Sequence, residues 1–537
     1  MSKKIIITLA LITFLGGLLR FRDITTNPPN INTDEAAIGY NAYSLLKTGR
    51  DEYGQPWPLA FRSFDDYKPP LYIYLTVPSV AAFGLNEFSV RFPSAFLGTV
   101  AIIVTFFLTK KLLGNQVTAL FASFLLATSP WHLQFTRTAY ETGSNAFFTS
   151  LGLLLFLKGL EKKWYWLLAG IVFGLQTHLY QASKIFVPLL LLCLFVIYLP
   201  RLRAKILSLF LFGAPFLAIF LPVVFLATTT AGVLRFQGTS IFQDPKSHDR
   251  QLAIVTTDWL ANDNKSVRLF HPESLTYYQD ILTGYLSHFR PDFLLTSRDS
   301  SKITYVPEVG LMFLWEFPFL LAGLYYLFHR RDKTATALLV GWFLISPIPA
   351  SVTTGLPNSV RTAIFLPVIQ IITAYGLINL FPKLWRPLKI SIVLFALYSL
   401  AFYGHMLFVH APISASSSWY SGYKKIVLDS IALSSRYEKV IVTTLLDQPQ
   451  IFYLFYLQTD PKTYQMAGGT VGGGFGEQGN HIANKYYFHS INWFELENEP
   501  NLLLVAAPRE VPIEARKRII GEYRSLDGTL LAYFLKT

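Results

Sequence analysis

The feature that most constrains this chain is an alternation. Apolar runs long enough to cross a bilayer recur over its first three quarters, and lysine and arginine crowd every second connection between them. Those connections carry Lys3 and Lys4; Lys110 and Lys111; Lys158, Lys162 and Lys163; Arg201, Arg203 and Lys205; Arg330, Arg331 and Lys333; and Lys383, Arg386 and Lys389. These sixteen basic residues face two acidic ones, Glu161 and Asp332, so this set of loops alone accounts for the whole net charge of +13. A basic excess confined to alternate loops is the positive-inside pattern and places them in the cytoplasm. It leaves no basic footprint for nucleic acid. Composition agrees: 52% hydrophobic and 15% charged residues exclude both a soluble enzyme and a disordered chain. The one cysteine, Cys193, permits neither an intrachain disulfide nor a cysteine-based metal site.

The expected fold is therefore a mostly α polytopic membrane protein of about eleven transmembrane helices with a cytoplasmic N-terminus. Spans are expected near 5–19, 91–109, 116–134, 144–159, 164–180, 185–199, 206–228, 308–328, 335–352, 361–381 and 390–409. The first reads as a retained helix, because no small-residue cleavage site precedes Arg20 and Arg22. Residues 20–90 form a first outer loop in which the short, proline-interrupted stretch Pro70–Phe83 suits an interfacial helix. Residues 229–306 form a long polar outer loop. The chain divides into a membrane domain, 1–410, and an extracytoplasmic α/β domain, 411–537. In the latter, Lys439–Leu445, Leu502–Ala507 and Leu531–Leu535 read as short buried strands and Pro512–Tyr523 as an amphipathic helix.

Nearly all the unusual polar residues fall on the outer side. Asn32-Thr33-Asp34-Glu35 opens a helix running to about Leu46, where the local positive potential favours the ionised carboxylates. Such a carboxylate can ligate a divalent ion or take a proton from a hydroxyl. Asn32 with Glu35 three residues on also fits a capping box, so the pair reads either as caps or as chemistry. Lys68, in Phe64-Asp65-Asp66-Tyr67-Lys68-Pro69-Pro70-Leu71-Tyr72, is held by two prolines at headgroup depth. It suits a lipid-carrier phosphate or ordinary snorkelling.

An Asp-Glu pair after the first span, then Tyr67-Lys68-Pro69-Pro70-Leu71, then Asn86-Glu87-Phe88-Ser89-Val90-Arg91-Phe92-Pro93-Ser94 together resemble the GT-C glycosyltransferases. The likeness is to bacterial homologues of protein O-mannosyltransferases and of the aminoarabinose lipid A transferase. It continues through Ser129-Pro130, Thr136-Arg137 to Glu141, and Tyr180-Gln181-Ala182-Ser183-Lys184, and more loosely through Tyr285–Phe289 and Pro357–Arg361. The resemblance implies an inverting transferase in the plasma (inner) membrane. Its donor would be a sugar on a polyprenyl phosphate, its acceptor a lipid, glycan or protein hydroxyl, and membrane lipids its surroundings. Asp34 would be the catalytic base with Glu35 beside it, and Lys68, Lys184 and Arg361 would meet the donor phosphate. Glu141, His178 and Tyr180 would line the substrate cavity. A divalent cation, Mg or Mn, on Asp34 and Glu141 could assist; Glu141 stands where many relatives have aspartate and Lys184 where arginine is commoner. No nucleotide cofactor is implied.

Three further features weigh little. Gly474-Phe475-Gly476-Glu477-Gln478-Gly479 fits G-x-G-x-x-G but follows no convincing strand, and reads as a mobile loop near the active site. Asn264-Lys265-Ser266 is a glycosylation sequon. Arg235, His248, His271, His288 and Arg290 show no metal-ligand spacing. A transporter or flippase of a lipid-linked sugar is the alternative. It would be expected to show an internal repeat and midplane polar residues, and the sequence shows neither.

Overall fold

The computed structural model describes the chain except residues 65, 204, 230–231, 234–237, 262–269, 297–301 and 471–479. Asp65, Arg235, the sequon and the glycine-rich fingerprint fall outside the described residues. Every expected span contains a helix, the longest being Glu87–Leu113. Among the described residues, six helical segments are long and apolar enough to cross a membrane: Lys3–Phe21, Glu87–Leu113, Ser183–Arg203, Phe210–Ala227, Lys333–Ser351 and Arg386–Ser414. Others are shorter than their apolar runs, and proline explains two of them. The helix expected over 116–134 ends at Thr128 and a new one begins at Pro130, while that expected over 361–381 starts only at Val368, after Pro367. Proline has no N–H for the helical ladder and its ring clashes with the preceding turn. Leu71–Phe83 is helical, with Pro78 inside it.

Contacts divide the chain into two compact units. One comprises residues 1–16, 98–134 and 142–401; the other comprises 17–97, 135–141 and 402–537.

In the first unit, helices approach through glycine. A Cβ on Gly323 would lie 2.0 Å from the Ile372 carbonyl oxygen, and one on Gly376 1.9 Å from that of Phe319. The Phe317–Phe328 and Val368–Leu380 helices therefore meet backbone to backbone, which is how small residues let apolar helices associate without a hydrophobic driving force. Residues 229–306 carry helices Pro245–Leu260, Glu273–Ser287 and Pro291–Thr296.

In the second unit, a six-stranded sheet runs in the order Asn480–Ile482, Tyr486–Phe488, Lys439–Val442, Leu502–Ala506, Leu530–Lys536, Ile519–Arg524. Lys439–Val442 is parallel to both its neighbours and the remaining pairs are antiparallel. Ile441, Trp493, Leu502, Leu504, Ala515 and Leu535 form the core on one face. The three expected strands are present. The amphipathic helix expected over Pro512–Tyr523 is not: residues 513–518 make a 3-10 turn and Ile519–Arg524 a strand. Its apolar positions satisfy both periods, and pairing decides between them. Ser525–Gly528 turns the chain back, with Gly528 at φ +85°, so that Tyr523 stacks at 4.2 Å on Phe534 of the neighbouring strand.

Candidate active site

The second unit gathers Asp34, Glu35, Lys68 and Glu141. The helix Thr33–Thr48 begins with the capping box the sequence allows: Asn32 Oδ1 accepts from the Glu35 N–H at 2.8 Å, and Glu35 Oε2 accepts from the Asn32 N–H at 3.2 Å. Capping is only part of what Glu35 does. Its Oε1 accepts from Arg91 Nε at 2.9 Å and from the Ala139 N–H at 2.8 Å, and its Oε2 from Arg91 Nη2 at 2.8 Å. Both oxygens are thus taken by four hydrogen bonds, and Glu35 is 1% exposed.

Arg91 is wholly buried, and its guanidinium also donates to the carbonyls of Ile24 (2.8 Å), Pro28 (3.1 Å) and Asn30 (2.5 Å). With the two bonds to Glu35, every N–H of the fork has an acceptor. A second buried arginine, Arg137, donates to the carbonyls of Leu19 (2.5 Å), Arg22 (2.9 Å) and Asn27 (2.8 Å) and lies 5.0 Å over the Phe408 ring. It thereby caps the C-terminal end of the first helix. The two guanidiniums tie residues 19–35 down from the N-terminal end of the Glu87–Leu113 helix and from residues 135–141. Both arginines lie inside motifs that carry the resemblance, and sequence reasoning gives neither a role. For Arg91, an arginine near the start of an apolar helix is the available signal, since such a charge must be paired.

Asp34, the neighbour of this fully bonded carboxylate, is different. Its side chain is 49% exposed, and Oδ1 accepts from Lys68 Nζ at 2.7 Å. Lys68 ends a small hairpin, Phe61–Ser63 paired with Asp66–Lys68, turned at Phe64 with φ 53°. Pro69 and Pro70 then start the helix Leu71–Phe83, so the lysine is fixed by a strand on one side and prolines on the other. Its side chain is 14% exposed. Burial acts to lower its pKa, but the carboxylates of Asp34 and Glu141, with Asp66, outweigh burial and raise it, so the ammonium form is held. Glu141, itself buried, opens the 3-10 turn Glu141–Ser144.

Tyr420 also belongs to this neighbourhood. Its hydroxyl donates to Asp447 and bonds the Thr33 side chain, and burial followed by the Asp447 carboxylate pushes its pKa up. Sequence reasoning does not find it, because nothing local marks a tyrosine nearly 400 residues from its partner. Behind the helix, Glu52 exchanges hydrogen bonds with Asn41, at 3.2 Å and 3.0 Å, and accepts from Thr470. Burial raises its carboxyl to about 8.

Asp34 and Glu141 are the two acidic residues that the resemblance offers to a divalent cation. Both act on the Lys68 ammonium, and the described residues hold no group of three or more His, Cys, Asp or Glu able to grip an ion.

The remaining candidates lie in the first unit. His178, at the end of the Trp164–Thr177 helix, has Nε2 2.7 Å from the Ile219 carbonyl oxygen, so that nitrogen donates and joins two helices. Tyr180 sits half-buried in the turn that follows, and Lys184 is half-buried in the first turn of Ser183–Arg203. Arg361 Nη1 donates to Thr353 Oγ1 at 2.6 Å and to the Thr354 carbonyl at 2.5 Å. His288 proves to be an anchor: Nε2 accepts from the Asn358 N–H at 3.1 Å while Nδ1 donates to the Gly284 carbonyl. Within residues 229–306, His271 lies 3.6 Å from Asp258, and Arg290 pairs with Asp292.

Over 98% of its length the chain superposes on 97% of ArnT from Cupriavidus metallidurans in the apo state, with a TM-score of 0.55 at 12% identity. The same protein bound to undecaprenyl phosphate gives 0.54 at 11% identity, covering 99% of this chain and 98% of that one. The chain has the GT-C fold. The family model of dolichyl-phosphate-mannose-protein mannosyltransferases matches residues 67–226, which begin beside Lys68 and carry the second outer loop. A Bacillus subtilis protein, YkcB, named as a candidate mannosyltransferase, is 31% identical over 146 residues, 26% of this chain. That match spans 20% of the relative's length. This fold and the six long apolar helices among the described residues make the chain a polytopic membrane protein.

Proposed function

We propose that this GT-C chain is an inverting glycosyltransferase of the plasma (inner) membrane, with its N-terminus cytoplasmic and residues 411–537 outside. It moves a sugar from a polyprenyl-phosphate donor to an acceptor hydroxyl of a lipid, glycan or protein on the outer face. The observation that carries this reading is the contrast between adjacent carboxylates: Glu35 spends both oxygens on Arg91, Asn32 and Ala139, while Asp34 stays half-exposed beside a nearly buried lysine.

In this reading Asp34 takes the proton of the acceptor hydroxyl as that oxygen bonds the anomeric carbon. The bond from the anomeric carbon to the phosphate oxygen breaks, and its electron pair leaves with the phosphate. Lys68, held as the ammonium, meets that charge. Lys184 and Arg361 keep the phosphate role that the resemblance implies, and His178 and Tyr180 shape the cavity for the sugar. Glu35 positions the base rather than serving as one. The likeness to ArnT, which binds undecaprenyl phosphate, supports the donor class, and the mannosyltransferase family match supports sugar transfer.

The test is sugar release from a panel of radiolabelled polyprenyl-phosphate sugars by the purified protein, wild type against Asp34→Asn. Turnover abolished in a folded Asp34→Asn supports the reading. Lipid binding by both proteins with turnover by neither points to transport instead.

A further inference from the structure

The first unit contains a buried polar network that the mechanism above leaves unused. Asn145 is wholly buried at the start of the Asn145–Gly159 helix. Its Oδ1 accepts from Ser183 Oγ at 2.9 Å and from Gln176 Nε2 at 3.2 Å, and its Nδ2 donates to Thr142 Oγ1 at 3.3 Å. Gln176 Nε2 also donates to Thr149 Oγ1 at 2.6 Å. Thr142 passes the chain on: its hydroxyl donates to the Val360 carbonyl at 2.9 Å. Thr142, Gln176 and Ser183 are all at most 1% exposed.

Two of the three ends of this network have a common character; the third, Thr149, closes it within the Asn145–Gly159 helix. Ser183 immediately precedes Lys184, and Val360 immediately precedes Arg361. One side-chain amide thus stands between the two segments that carry the first unit's candidate phosphate cations. The Arg361 segment is also held by the Asn358 N–H on His288 and by Trp131 Nε1 on the Ser359 carbonyl, and Thr142 adds a hold at Val360 itself. An amide suits the task because it accepts on one side and donates on the other, so each arm is bonded with a defined polarity. Buried among apolar helices, such bonds have no water to compete with them and hold their geometry.

We propose that Asn145 is a positioning residue that sets Lys184 and Arg361 on the donor phosphate through two separate arms, Ser183 and Thr142. The inference rests on the phosphate role given above to those two cations. It predicts a specific coupling: each arm matters only through the cation at its end.

The experiment measures undecaprenyl phosphate binding to the purified full-length protein, with thermal unfolding recorded for each variant. Ser183→Ala and Thr142→Val each remove one arm while keeping volume nearly constant, and they remain informative if Asn145→Ala does not fold. Each is expected to weaken binding about threefold to tenfold, the range of one net hydrogen bond. In a Lys184→Ala background Ser183→Ala should add nothing, and in an Arg361→Ala background Thr142→Val should add nothing. Fully additive losses in both backgrounds, with both cation variants weakened, would overturn the positioning role and leave the phosphate reading intact. Wild-type affinity in both cation variants would overturn the phosphate reading, and the inference with it.

Discussion

Adjacent carboxylates with opposite duties should fail in opposite ways when each is replaced by its amide. In Glu35→Gln, the two oxygens that receive Arg91 Nε, Arg91 Nη2 and two backbone N–H groups become one oxygen and one NH2. The NH2 then points at donors, and Arg91, wholly buried, loses its counter-charge. Breaking a buried ion pair from one side costs about 3–5 kcal/mol. The same change at Asp34 touches a side chain that is 49% exposed and has one ion pair, so its stability effect should stay within about 1 kcal/mol. Turnover should show the reverse order. Losing a general base lowers kcat by about 10²–10⁴-fold, whereas the fraction of Glu35→Gln that remains folded should retain far more of it. The assay is thermal unfolding in detergent paired with sugar release per folded molecule. If Glu35→Gln unfolds with the wild type yet loses turnover as Asp34→Asn does, the division of labour is wrong and Glu35 is part of the chemistry.

Lys68→Ala should weaken undecaprenyl phosphate binding about tenfold or more, the worth of a charge-assisted hydrogen bond, and unchanged affinity by titration would count against its phosphate role. Glu52 gives a pH test: burial raises its carboxyl to about 8 from 4.5, so the folded state holds a proton that the unfolded state releases. Its stabilising contribution is complete below about pH 4.5 and is lost as pH rises through about 8. Glu52→Gln should therefore gain on the wild type in unfolding temperature between pH 6 and pH 9, and parallel curves would refute the buried, protonated state. Gly39→Ala would set a Cβ 2.6 Å from Phe455 Cε2 and 2.7 Å from Val90 Cγ2. That overpacking should cost about 1–3 kcal/mol, read as a lower unfolding temperature; a neutral substitution would mean the Thr33–Thr48 helix is packed less closely.

The spans are legible because each is a local signal, an apolar run with basic residues at one end, needing no knowledge of its neighbours. Asp34 and Lys68 stand out through a resemblance, and their placement at 2.7 Å across 34 residues cannot be read from either motif alone. The Glu35–Arg91 pair escapes sequence reasoning although both residues lie in its motifs, because the capping box offers a sufficient local account of Glu35. Pro512–Tyr523 misleads for a related reason. Its periodicity admits a helix, and only the partner strand Leu530–Lys536 makes the extended form win. Asn145 and His288 give no sequence signal of their roles, since a buried amide or imidazole is defined by what surrounds it.

The grip of Arg137 on the end of the first helix bears on how the protein is made. The carbonyls it holds belong to Leu19, Arg22 and Asn27, more than a hundred residues nearer the N-terminus. During synthesis these acceptors have left the ribosome before the guanidinium is translated. A cation destined for a buried site thus emerges to find its oxygens already waiting, and the order of the chain supplies the partner before the charge.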